Sequence, residues 1–169
     1  MSRIEALAEH YAKHIATPWQ RTVAGAQRVV MIVYDKELER TLRARKMAFE
    51  NATHQAGHDW FEIDLSDAFA KWMASDEYRD AYFESPEDLQ IKLDAEFPGF
   101  LANLLRQTLT NPEVTDKSVV DVFGLASLSA LARVSEDLKI IERDIRGRLV
   151  GFFPGTFESN NYLLLHARD

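Results

Sequence analysis

Cysteine is absent from the 169 residues, and with it go disulfides, thiolate nucleophiles, iron–sulfur ligation and every cysteine-based zinc site. The few glycines exclude more. None of Gly25, Gly57, Gly99, Gly124, Gly147, Gly151 and Gly155 precedes a lysine, so there is no Walker A loop to cradle a nucleoside triphosphate. No two glycines stand at i and i+2, which removes the dinucleotide fingerprint. No serine has a glycine two residues away on both sides, which removes the nucleophile elbow. Long apolar runs are also missing. The N-terminal MSRIEALAEHYAKHI interleaves charge with apolar residues at helical spacing, which is neither signal peptide nor membrane anchor and points to a cytoplasmic protein.

Positive charge is in short supply as well: 20 basic residues face 27 acidic ones, giving a net charge of −7 and a pI of about 5.3. Such a field repels phosphate backbones. Two basic clusters, Arg40, Arg43, Arg45 and Lys46, then Arg143, Arg146 and Arg148, are interleaved with acids and read as solvated helix faces. The alternative is nucleic-acid binding, with affinity falling steeply as salt rises.

What is present describes one globular domain over residues 1–169, with 46% hydrophobic and 28% charged residues. Ile4, Leu7, Ala8, Tyr11 and Ile15 predict an amphipathic helix that stops before Thr17-Pro18. RVVMIVY at 28–34 is a β-rich run without alternation, as in a strand buried on both faces of a parallel sheet. A helix over about 36–55 and the strand DWFEIDL at 59–65 complete a βαβ unit, predicted as a parallel pair. Residues 66–111 read as a helical insertion, with Ser85-Pro86 opening one helix and Pro98 opening another. SVVDVF at 118–123 is a third strand, Ser135 caps a helix that ends at Gly147, and RLVGFFPG is a fourth strand. NYLLLHA, from Asn161, is predicted as a fifth strand antiparallel to the fourth through the TFESN turn. The resulting fold class is three-layer α/β, a mostly parallel sheet flanked by helices.

Candidate chemistry is thin. His10 and His14, and His54 and His58, stand four apart, but two ligands do not hold a metal and Gly57 interrupts the second pair, so these read as surface histidines. Asp35 and Glu37 after the first strand, Glu62 and Asp64 on the second and Asp121 on the third would together suit magnesium and phosphoryl chemistry. Helix capping is the preferred account of Asp35 and Asp64. The aromatic residues around the insertion, Trp60, Phe61, Phe69, Trp72, Tyr78, Tyr82, Phe83, Phe97 and Phe100, lie in an acidic stretch and read as core, with an exposed protein-binding patch as the alternative.

RVVMIVYDKELER, followed by ARVSEDLKIIERDIRGRLVGFFPGTFESNNYLLL, resembles the BrxB family of bacteriophage-exclusion (BREX) systems over most of the chain. The motifs that carry the resemblance are Arg133-Val134-Ser135, Phe152-Phe153-Pro154-Gly155 and the leucine-rich strand after them. The resemblance implies a non-enzymatic member of an anti-phage defence operon, working beside a PglZ-type partner, an ATPase and a DNA methyltransferase. It carries over no catalytic residue, cofactor or metal. Similar proteins run on into further strand sequence, which implies either a shortened chain or an edge strand supplied from elsewhere. The expected role is therefore an assembly scaffold, with Phe153, Pro154, Gly155, Phe157, Tyr162 and Arg133 as partner-binding residues. The rival expectation is a metal-dependent phosphoesterase or nuclease built on Asp35, Glu37 and Asp64.

Overall fold

Among the described residues, five parallel strands, β1 (Val29–Tyr34), β2 (Asp59–Asp64), β3 (Ser118–Phe123), β4 (Arg148–Pro154) and β5 (Leu163–His166), form a central sheet in the order β2-β3-β4-β1-β5. The computed structural model describes residues 2–20, 22–75, 84–128, 134–157 and 162–166. The elements are α1 (Arg3–Ala16), β1 (Val29–Tyr34), α2 (Glu39–Ala44), α3 (Lys46–Gln55), β2 (Asp59–Asp64), α4 (Ala68–Ala74), α5 (Pro86–Leu109), β3 (Ser118–Phe123), α6 (Val134–Ile141), β4 (Arg148–Pro154) and β5 (Leu163–His166).

Strands β1 and β3 are buried at every position, which is why their sequences run apolar instead of alternating. Successive side chains still point to opposite faces. Val29, Met31, Val33, Val122 and Leu149 pack on α4, α5 and α6. Val30, Ile32, Val119, Phe123 and Phe152 pack on α1, α2 and α3. Helix α1 starts at a capping box: the Ser2 hydroxyl accepts from the Glu5 amide at 3.1 Å and the Ser2 amide donates back to Glu5 at 3.2 Å. Its buried stripe is Ile4, Leu7, Tyr11 and Ile15. The Tyr11 hydroxyl meets Thr53 Oγ1 at 2.5 Å, tying α1 to α3 beneath the sheet. Phe69, Trp72, Phe97 and Phe100 pack ring against ring between α4 and α5, mostly edge-on or tilted, as core. Tyr78, Tyr82 and Phe83 lie outside the described residues.

Four expectations change. The strands β1 and β2 are parallel but not neighbours, because β3 and β4 lie between them. Their linking helices α2 and α3 therefore span the sheet's middle, where Phe49 reaches Phe152 edge-on at 5.1 Å. Pro98 does not open a helix; it sits inside the 24-residue α5. A proline there forfeits one backbone bond, but Leu93 and Phe97 before it and Leu101 and Leu105 after it are all buried on one stripe, and that burial holds the helix through the gap. The helix read as capped by Ser135 already includes Val134 and gives way after Ile141 to a 3-10 turn, Glu142–Asp144, so Gly147 is a strand-entry residue.

The fourth correction concerns β5, which is parallel to β1 and pairs Val30 with Leu163 through Val33 with His166. It is not the antiparallel partner of β4. A TFESN hairpin would leave Phe157 in water, whereas in the crossover Phe157 and Tyr162 both enter the core with α5 and α6.

Candidate functional site

In a parallel sheet the carboxyl ends of the strands, above all the crevice where chain connections diverge, are the ordinary place for a ligand. Here that crevice lies between β1 and β4, and it is bridged: the Gly155 amide donates to the Tyr34 carbonyl at 2.7 Å. Beyond β1 the chain turns through Lys36–Leu38 into the six-residue α2, with acidic Asp35 and Glu37 and no glycine where a phosphate would need amides.

Of the acids proposed for magnesium, Glu62 and Asp121 are paired across β2 and β3, while Asp35 and Asp64 are each held by an arginine. Asp35 is ion-paired with Arg3. Asp64 accepts from the Ser66 amide at 3.0 Å and hydroxyl at 2.6 Å, and from Arg43 Nη1 at 3.1 Å. Partial burial pushes the Asp64 carboxyl up, but the Ser66 and Arg43 bonds outweigh it and hold it down at about 2. Arg43 also donates to Glu39 at 2.8 Å, and Glu39 in turn accepts from the Tyr34 hydroxyl. Among the described residues no three His, Asp or Glu side chains converge as a metal set. Arg43→Ala is expected to cost about 1 kcal/mol at pH 7, the pair being partly exposed. Because the folded Asp64 pKa is depressed, that contribution holds above the unfolded value and fades as pH falls through about 2; urea titrations at pH 7 and pH 2 read the difference.

Three members of the first basic cluster are neutralised in the same way. Arg43 pairs with Glu39 and Asp64, Arg45 with Glu5, and Lys46 with Glu62, with the Lys46 ammonium over the Phe123 ring at 4.4 Å. Of the residues expected to meet a partner, Phe153, Phe157 and Tyr162 are buried in the protein's own core, so they present no outer face. Tyr162 is anchored there by its hydroxyl, which donates to Glu142 at 2.6 Å. Pro154 is half-buried and Gly155 exposed at a φ of +113°, a backbone that side chains other than hydrogen rarely adopt. Arg133 lies outside the described residues.

A cavity of about 940 Å³ opens at the opposite, amino-terminal edge of the sheet. All the strands run the same way, so the residues that precede them meet there: Arg28 before β1, His58 before β2, Lys117 before β3 and Arg146 before β4. Arg143 and Arg148 join them. Trp19 closes one side, with His58 stacked on it at 3.7 Å and 3° and the Arg148 guanidinium over its ring at 4.7 Å. His58 Nδ1 is in turn bonded to the Lys117 carbonyl at 3.0 Å. Sequence reasoning treated Arg143, Arg146 and Arg148 as a solvated face and passed over Trp19, Arg28 and Lys117. The available signal was a basic residue just ahead of several predicted strands.

One buried group stands apart from both edges. Asp121 is fully buried in the middle of β3, and neither carboxyl oxygen has a hydrogen-bond partner among the described residues. Burial, reinforced by nearby Glu62, pushes its pKa well above the usual carboxylate range.

No protein-family model matches the chain, and no curated protein matches it. Among solved structures it is similar to C. elegans PCH-2, with 9% identity and a TM-score of 0.39 over 96% of this chain. The chain spans 41% of that structure's length. Among the described residues no helix is long and apolar enough to cross a membrane.

Proposed function

We propose that the chain is a non-enzymatic component of a bacterial anti-phage (BREX-like) defence system, an assembly scaffold that receives a PglZ-type partner along β5. The identity of the system comes from the resemblance to the BrxB family. The observation that supports the scaffold reading is where the resembling residues sit. Pro154 pairs with Tyr34, Gly155 bonds the end of β1, Phe157 and Tyr162 anchor the crossover, and the leucine strand is thereby laid on the open side of β1. The motif that carries the resemblance is thus the machinery that creates one edge strand.

An edge strand offers unpaired amides and carbonyls to a strand from another chain. β5 is short and apolar, with Leu163 46% exposed. The other edge, β2, carries Asp59, Glu62 and Asp64, and charge on an edge discourages strand addition. Leu163→Lys places a charge on the docking edge at a half-exposed position, so it is expected to leave stability within about 0.5 kcal/mol. Affinity purification from the native bacterium should recover a PglZ-type protein in comparable amount with the wild type and about tenfold less with Leu163→Lys, a loss of roughly 1.4 kcal/mol in binding. Recovery of the chain alone would sink the scaffold reading, and equal recovery with the variant would remove β5 as its surface.

A further inference from the structure

We propose that the cavity at the amino-terminal edge of the sheet is a binding site for a compact, multiply charged phosphate group, an oligophosphate. It lies at the end of the sheet opposite to the ordinary ligand crevice, and the inference is independent of the scaffold reading.

Charge is the first argument. Five cationic side chains, Arg28, Arg143, Arg146, Arg148 and Lys117, line the cavity against two acids, Asp116 and Glu142, and Glu142 already accepts from the Tyr162 hydroxyl. This is a local excess of positive charge in a chain of net charge −7. Elsewhere the protein pairs its arginines with carboxylates, as at Arg43, Arg45 and Arg106. Among the described residues no such ion pair joins Arg143, Arg146 or Arg148 to an acid.

The second argument is how these guanidinium groups are held. Arg146 donates to the Leu109 carbonyl at 2.6 Å and the Asn111 carbonyl at 2.7 Å, and Arg148 to the Gly147 carbonyl at 3.0 Å. Arg28 donates to the Ile145 carbonyl at 3.1 Å. Backbone carbonyls orient the Arg146 and Arg148 guanidinium groups without cancelling their charge, and each of these two has five N–H donors, so some remain to meet an anion. Crowding is evident too, since burial and the neighbouring Arg28 push the Arg148 pKa down. An anion among like charges already fixed in place relieves that repulsion with little ordering cost.

Shape and the aromatic residue narrow the class. About 940 Å³ suits a small ligand. A long polyanion would additionally meet the acidic remainder of the surface. His58 covers one face of Trp19 and Arg148 lies over the ring, which leaves no open face on which a base would stack. The ligand is therefore read through its phosphates.

Inorganic tripolyphosphate is the probe. At a hundredfold excess over Kd it is expected to raise the melting temperature by on the order of 5 °C, above sodium chloride of matched ionic strength. The double variant Arg143→Glu/Lys117→Glu changes two exposed side chains that hold no part of the fold, so it should keep the unliganded melting temperature and lose that shift. No shift in the wild type at millimolar tripolyphosphate, or an equal shift in the double variant, overturns the proposal. A nucleoside triphosphate bound within about tenfold of tripolyphosphate supports recognition through phosphates, and tighter binding than that overturns it. Preference for a DNA oligonucleotide or a glutamate-rich peptide over tripolyphosphate would likewise overturn it, in favour of those partners.

Discussion

Asp121→Val is expected to raise the melting temperature of this protein by about 4–10 °C at pH 8 and by much less at pH 4, an effect of roughly 2–3 kcal/mol. The carboxyl group is fully buried, and neither oxygen is hydrogen-bonded among the described residues. Its folded pKa is raised by burial and by Glu62. The folded state therefore holds the proton more tightly than the unfolded chain does. The protonated form's stability is whole below the ordinary carboxylate pKa and is lost as pH climbs toward the raised value. Valine removes both the titration and the unmatched polar atoms, and it suits a strand whose neighbours are Val120 and Val122 and whose cross-strand partner is Val150. Asp121→Asn, uncharged but still polar, should flatten the pH dependence with a smaller gain. Melting curves from pH 4 to pH 8 decide the matter: a valine variant that keeps the wild-type slope would place the pH dependence elsewhere.

Gly147→Ala is expected to be the most damaging single methyl in the protein, costing about 3 kcal/mol or more, which is a large part of an ordinary folding free energy. A Cβ at Gly147 would stand 2.0 Å from the backbone carbonyl oxygen of Ser118, where β3 and β4 enter the sheet side by side. Neither strand can retreat without breaking the pairing of Val119 with Arg148. Gly151 is the control. A Cβ there meets Met31 Sδ at 2.7 Å and Cε at 2.8 Å, the far end of a flexible side chain that can turn aside, so Gly151→Ala should cost nearer 1 kcal/mol. Urea unfolding of the two variants separates a backbone collision from a side-chain one; equal losses would refute the distinction.

How far the fold was legible depends on the range of the interaction concerned. The apolar runs of β1, β3 and β4 and the stripe of α1 are local patterns, and they are where sequence placed them. Strand order is not local. Nothing in the βαβ spacing says that α2 and α3 carry the chain across two other strands before β2 joins the sheet. Pro98 and the β4 to β5 crossover failed for a related reason: the punctuation of proline and turn residues was overridden by burial of Phe97, Phe157 and Tyr162. The same holds for the sites. The acids at the carboxyl edge were visible as a group, but their pairing with Arg3 and Arg43 was not. The basic cavity was hidden because Arg28, His58, Lys117 and Arg146 are brought together only by four strands starting at one edge.

The pairing of β1 with β4 has a consequence for biosynthesis. Val29 leaves the ribosome well ahead of Leu149, its partner across the sheet. At usual elongation rates the interval is on the order of ten seconds. During it VVMIVY has no neighbour on either flank and is the stretch most prone to self-association, so the nascent chain is the form in which this protein most needs a chaperone.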